Sequence, residues 1–133
     1  MKYQDGFKYQ LAGTVKVQIP VYPSEDIDTQ FIKLSRGGVL TILTGYAWDG
    51  PSGPTFDTAN FMRGSLVHDA LYELMRKQLL SIKWRKPADR IMQRICIEDG
   101  MTRARAWWVY TGLQIAGGEA ALPGNKKPIL EAP

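Results

Sequence analysis

Cysteine and histidine are almost missing from this chain of 133 residues, which has one of each, Cys96 and His68. A single cysteine excludes an internal disulfide, and one Cys with one His excludes a Cys/His zinc site within one chain. Any bound metal is therefore expected to be a hard ion held by oxygens. Long apolar runs are lacking too. The uncharged stretch Ala106 to Gly118 is 13 residues, short of the roughly 20 that cross a bilayer as a helix. No secretory signal is expected, because the start Met-Lys is not followed by an apolar run. No internal repeat or low-complexity segment is visible. What remains, 44% hydrophobic and 23% charged residues, is the balance of one soluble globular domain.

The net charge is +4 and unevenly spread. Between Arg76 and Arg105 nine basic residues (Arg76, Lys77, Lys83, Arg85, Lys86, Arg90, Arg94, Arg103, Arg105) face three acids (Asp89, Glu98, Asp99), a local excess of +6. Such a stretch suits a solvated helix surface, or contact with nucleic acid, an anionic membrane or an acidic partner.

The first half reads as strands. Val15, Val17 and Ile19 alternate with Lys16 and Gln18, the period of a half-buried strand. Phe31 to Leu34 and Val39 to Leu43 flank Ser35-Arg36-Gly37-Gly38 and predict a hairpin, the glycines supplying the positive φ of a tight turn. The second half reads as helices. One is expected from about Ala59 to about Gln78, capped by Asp57 or Thr58, with Val67, Leu71 and Leu74 on one stripe and His68, Tyr72 and Met75 on the next. Pro87 suits the first turn of a second helix ending near Gly100, and Thr102 caps a third to about Ala116. The fold class is thus α+β, an N-terminal antiparallel sheet or hairpins followed by two or three packed helices. Residues 1–116 are expected to form a single domain, and residues 117–133 an extended tail rich in Gly, Pro and Lys. Trp107 and Trp108 are adjacent and cannot share one helix stripe. Either one reaches solvent, a partner or a lipid surface, or a second element covers both; the latter is expected.

His68 is the only candidate for neutral-pH proton transfer by an imidazole. Asp89 follows 21 positions later, near the start of the next helix. Two antiparallel helices would bring its carboxylate to the His68 ring, fixing one nitrogen and leaving the other as a base. Asp69 lies about 100° further round the helix and is free to serve a different ligand. Asp49 and the Gly50 carbonyl stand on a loop of alternating Gly and Pro, and with Asp69 they supply oxygens of the kind Ca²⁺ takes. Structural roles are open for each: a loop-carbonyl bond for His68, a core position for Tyr72, a helix-dipole contact for Asp89, a turn for Asp49.

The string Tyr46-Ala47-Trp48-Asp49-Gly50-Pro51-Ser52-Gly53-Pro54, with Arg63-Gly64-Ser65-Leu66-Val67-His68-Asp69-Ala70-Leu71-Tyr72 and then Ala88-Asp89, resembles a small domain-of-unknown-function family of tailed phages and prophages. The likeness covers roughly Phe31 to Tyr110. More remotely, the order Asp-Gly loop, His-Asp-x-x-Tyr, then a helical Asp is similar to the prokaryotic phospholipases A2. That resemblance implies His68 as the base that activates water, Asp89 as its orienter and Tyr72 as a brace on Asp89. It implies Ca²⁺ on Asp49, the Gly50 carbonyl and Asp69, polarising the ester carbonyl.

The expected function is a phage- or prophage-encoded, calcium-dependent ester hydrolase acting on phospholipid or another ester, in the host cytoplasm or the virion. A weak Ca²⁺ site would stay empty in cytosol and fill outside the cell. The alternative is a non-enzymatic tail, baseplate or assembly protein contacting other phage structural proteins through its tryptophans, its Pro-rich loop and Lys126-Lys127. Nucleic-acid binding is least favoured, because no motif for it is recognisable.

Overall fold

The computed structural model describes residues 9–48 and 59–120, with only the backbone at 59 and 113–120. Antiparallel sheets at the N-terminus are followed by three helices, the α+β class that the sequence predicts. The chain divides into two compact units, Met1–Gly50 and Pro51–Pro133.

Among the described residues, six short strands build the first unit: β1 (Tyr9–Gln10), β2 (Val15–Gln18), β3 (Ile27–Asp28), β4 (Ile32–Leu34), β5 (Val39–Ile42) and β6 (Ala47–Trp48). β1 pairs with β6, and the other four form an antiparallel sheet of order β2-β5-β4-β3. Register aligns the apolar positions across strands, Val15–Ile42–Ile32 in one row and Val17–Leu40–Leu34–Ile27 in the next. Ile32, Leu34, Leu40 and Ile42 are fully buried, each contributing about 1.5–3 kcal/mol. The opposite face carries Lys16, Thr41, Lys33 and Asp28, as strand alternation requires. At the β4–β5 turn, the Gly38 amide donates to the Ser35 carbonyl at 2.9 Å and Gly38 holds φ +87°. A Cβ there would run into the Ile19 carbonyl oxygen. Gly38→Ala is therefore expected to lower the unfolding free energy by about 2 kcal/mol or more, read as an earlier denaturant midpoint.

Helices α1 (Ala59–Arg76), α2 (Arg85–Glu98) and α3 (Arg103–Ala120) build the second unit, with a 3-10 turn at Ile82–Trp84. α1 packs on α2, and α2 on α3. Phe61, Met92, Cys96, Met101, Ala106 and Val109 form their shared core, with Ile97 and Trp108 partly buried against it. Gly64 lets α1 close on α2, since a Cβ there would lie 2.6 Å from Cys96 Sγ and 3.1 Å from the Met92 carbonyl. The expected stripe Val67, Leu71 and Leu74 is fully buried, and the neighbouring His68, Tyr72 and Met75 are buried as well.

Several boundaries differ from expectation. α2 begins at Arg85, so Pro87 is its third residue, still in the turn where a missing N–H leaves no bond unmade. Asp89 then stands fifth and its carboxylate bonds across to α1, which corrects the helix-dipole role. Thr102 caps α3 as expected, its Oγ1 accepting from the Arg105 amide at 3.2 Å. α3 runs on through Gly117 and Gly118 to Ala120, so the expected tail begins inside a helix. The Asp57 or Thr58 cap lies outside the described residues. Trp107 is 62% exposed while Trp108 packs against the core, contrary to the expected burial of both. Adjacent helical residues point about 100° apart, and the α1–α2 side of α3 admits one.

Candidate functional site

Helical spacing places the first two groups. His68 and Tyr72 are four residues apart on α1 and share a face, their rings 4.1 Å apart between centroids. α2 supplies the third. Asp89 is fully buried, and its Oδ1 accepts from Tyr72 Oη at 2.7 Å and lies 2.6 Å from His68 Nε2. Both bonds have the short length of charge-assisted pairs. The structure thus brings together His68, Tyr72 and Asp89, the base, brace and orienter that the resemblance implies.

Asp69 occupies the other side of the ring. Its Oδ1 is 3.9 Å from His68 Nδ1, longer than a direct hydrogen bond. Asp89 has no exposed surface, whereas His68 and Asp69 keep 6% and 8%. The carboxylate that orients the ring is the inner member, and the Nδ1 side is the outer one.

Asp49 and Gly50, the other proposed calcium ligands, lie outside the described residues. Among the described residues no three His, Cys, Asp or Glu side chains cluster as a metal site. Asp69, a nearly buried carboxylate, is the one proposed ligand side chain with described surroundings, and it fits a hard cation. Six to eight oxygens are needed in all, and one carboxylate supplies two at most.

Burial is the largest influence on His68 and lowers its pKa. The Asp69 and Asp89 carboxylates together outweigh it, and the net shift is upward from 6.5. A raised folded-state pKa adds stability that is complete below the unfolded value, near 6.5, and is lost as pH rises through the folded value. In the metal-free protein, the stability margin of the wild type over His68→Gln is therefore expected to be larger at pH 6 than at pH 9. Urea titrations at both pH values check this, and a margin growing with pH would contradict it. Burial, and then the Asp89 charge, push Tyr72 upward, so its hydroxyl stays a donor to Asp89. Burial and the Asp99 charge push the Cys96 thiol up to about 12, which makes it a packing residue and not a nucleophile.

One neighbour was not foreseen. Arg85 Nη1 lies 3.9 Å from Asp89 Oδ2, is buried, and has no hydrogen-bond partner among the described residues. The signal was the four-residue spacing of Arg85 and Asp89. Beyond the site, Arg63 ties the start of α1 to the end of α2, donating to both Asp99 oxygens at 2.9 and 3.1 Å and to Glu98 at 3.2 Å. No protein-family profile, curated protein or solved structure matches the chain.

Proposed function

We propose that this protein is a small ester hydrolase of the phospholipase-A2 type, encoded by a phage or prophage, in which His68 activates water. The observation that carries this is the fully buried Asp89 carboxylate accepting from Tyr72 Oη and pairing with His68 Nε2 through one oxygen. A carboxylate held there fixes the tautomer with the proton on Nε2, leaving the Nδ1 lone pair as the base. Water gives a proton to Nδ1 as its oxygen bonds to the ester carbonyl carbon. When the tetrahedral intermediate collapses, the C–O bond to the alcohol breaks and that oxygen takes the proton back from His68. Tyr72 keeps Asp89 in place through both steps. Calcium held at Asp69 would supply positive charge to the developing oxyanion.

The test is release of fatty acid from phospholipid in mixed micelles, with Ca²⁺ or with a chelator. Release with Ca²⁺ that disappears in chelator and in Asp69→Asn is the expected result; no release in Ca²⁺ overturns the proposal. A second reading, a non-enzymatic virion component, is favoured by the 62% exposed Trp107. Stable co-purification with phage particles and no ester hydrolysis would support it.

A further inference from the structure

We infer that the connection between α1 and α2 is a docking surface for the anionic face of a phospholipid bilayer. As the substrate surface of the proposed hydrolase it rests on the reading above, so binding and turnover are measured apart.

The connection between α1 and α2 carries backbone strain. Both α1 and α2 end in the same motif, in which the residue after the cap is left-handed. At the end of α2 that residue is Gly100, φ +104°, and the Met101 amide then bonds the Cys96 carbonyl at 2.9 Å. Met101 is buried, as the residue after such a cap commonly is. At the end of α1 the left-handed residue is Gln78, φ +61°, and the Leu79 amide bonds the Leu74 carbonyl at 2.9 Å. Here the apolar residue goes outward: Leu79 is 48% exposed, and Ile82, three residues on, is 47% exposed. A side chain in the left-handed region costs about 1–2 kcal/mol, and in this case the turn it makes presents an aliphatic group to solvent.

Charge completes the surface. Lys77, Lys83, Lys86 and Arg90 are all exposed around this connection. Lys77 faces Glu73 at 3.3 Å, but among the described residues no carboxylate pairs with Lys83, Lys86 or Arg90. Asp89, the only acid between Lys77 and Arg90, is wholly buried. At the opposite end of the helix pair Arg94 pairs with Glu98 at 3.5 Å and Arg63 with Glu98 and Asp99, while Arg103 at the start of α3 is exposed. Lys83, Lys86 and Arg90 are therefore unneutralised cations near Leu79 and Ile82. Lys83 also lies over the half-buried Trp84 ring, 5.4 Å from its centroid. Aliphatic tips ringed by ammonium groups complement an anionic bilayer, where the tips enter the acyl boundary and the cations stay among the phosphates. A nucleic-acid backbone complements the cations but not Leu79 and Ile82.

The experiment sediments the full chain with vesicles in chelator, so that no turnover occurs. Vesicles of phosphatidylcholine alone are compared with vesicles that also contain phosphatidylglycerol. Binding is expected to require phosphatidylglycerol and to weaken as salt is raised. The double variant Lys83→Gln/Lys86→Gln should bind about 30-fold more weakly, from about fivefold per lysine. Leu79→Ser/Ile82→Ser should lose at least about tenfold. Arg94→Gln, at the opposite end, should stay within about twofold of the wild type, and unchanged melting curves establish that each variant is folded. Equal binding to neutral vesicles, no binding, or binding indifferent to both double variants would overturn the inference. So would displacement of the lipid by double-stranded DNA whose own binding needs Lys83 and Lys86 but not Leu79. Retained binding with no fatty-acid release counts against the hydrolase and not this surface. Hydrolysis of monomeric short-chain phospholipid without vesicle binding counts against this surface alone.

Discussion

Asp89→Asn is expected to lower phospholipid turnover by about 10³- to 10⁴-fold, the scale seen when an orienting carboxylate is replaced by its amide. The substitution hardly changes volume, so the cause is electronic. Asp89 Oδ1 accepts from Tyr72 and pairs with His68 Nε2 at 2.7 and 2.6 Å. An amide either offers a weaker, uncharged acceptor to both groups or turns its NH₂ toward them. In the second case His68 Nε2 must accept, and the proton moves to Nδ1. The nitrogen needed as a base is then occupied. Stability falls as well, since bonds to an ionised group contribute about 1.5–3 kcal/mol each and Asp89 is fully buried. A loss of about 2–4 kcal/mol in urea unfolding is expected. Tyr72→Phe removes one donor and leaves the tautomer alone, so its losses should be about 1 kcal/mol and about tenfold in rate. Comparable turnover in the wild type and folded Asp89→Asn would eliminate His68 as the base. A larger loss in Tyr72→Phe than in Asp89→Asn would move the chemistry to the phenol.

How much of this was legible in the sequence depends on the distance over which each feature is specified. The β4–β5 hairpin was visible because Ser35 to Gly38 is a local turn and the flanking strands alternate. The two-residue strands β1, β3 and β6 were not, because no periodicity exists over two residues and their pairing partners are distant. The helix face carrying His68 and Tyr72 follows from spacing within α1. Its meeting with Asp89 follows from a short connection that makes consecutive helices antiparallel neighbours. Arg85 was missed because Pro87 marks the first turn of α2 without fixing its first residue, which is Arg85. Trp107 and Trp108 were misjudged for another reason. Their adjacency shows that one must leave the helix stripe, but whether another element covers it is a property of the tertiary fold. The Asp49-Gly50 loop has a distinctive sequence, yet its relation to Asp69 is a through-space property that Gly and Pro spacing does not specify.

Gly64 shows how a glycine inside a helix, unfavourable by propensity, serves the site. Alanine in its place gains about 1 kcal/mol of helix propensity, so any instability of Gly64→Ala measures packing against that gain. The added Cβ would lie 2.6 Å from Cys96 Sγ and 3.1 Å from the Met92 carbonyl. The thiol is a removable obstacle and the carbonyl is fixed helix backbone. Gly64→Val, with two further methyl groups, is expected to destabilise the helical unit by about 3 kcal/mol or more. In the alanine series, Cys96→Ala alone loses the contacts of a buried thiol, but in the Gly64→Ala background it should restore stability. A favourable coupling of about 1 kcal/mol or more in that double-mutant cycle is the expected result, and simple additivity would show that the helices do not meet at this glycine. The consequence reaches the chemistry because His68 is one turn beyond Gly64 on α1. A wedge that lifts α1 from α2 at Gly64 draws the imidazole from Asp89, and a 2.6 Å bond does not survive a displacement of 1 Å. Turnover in Gly64→Ala should therefore fall more steeply than its stability and recover with Cys96→Ala, a linkage expected only if close helix contact is what sets the His68–Asp89 pair.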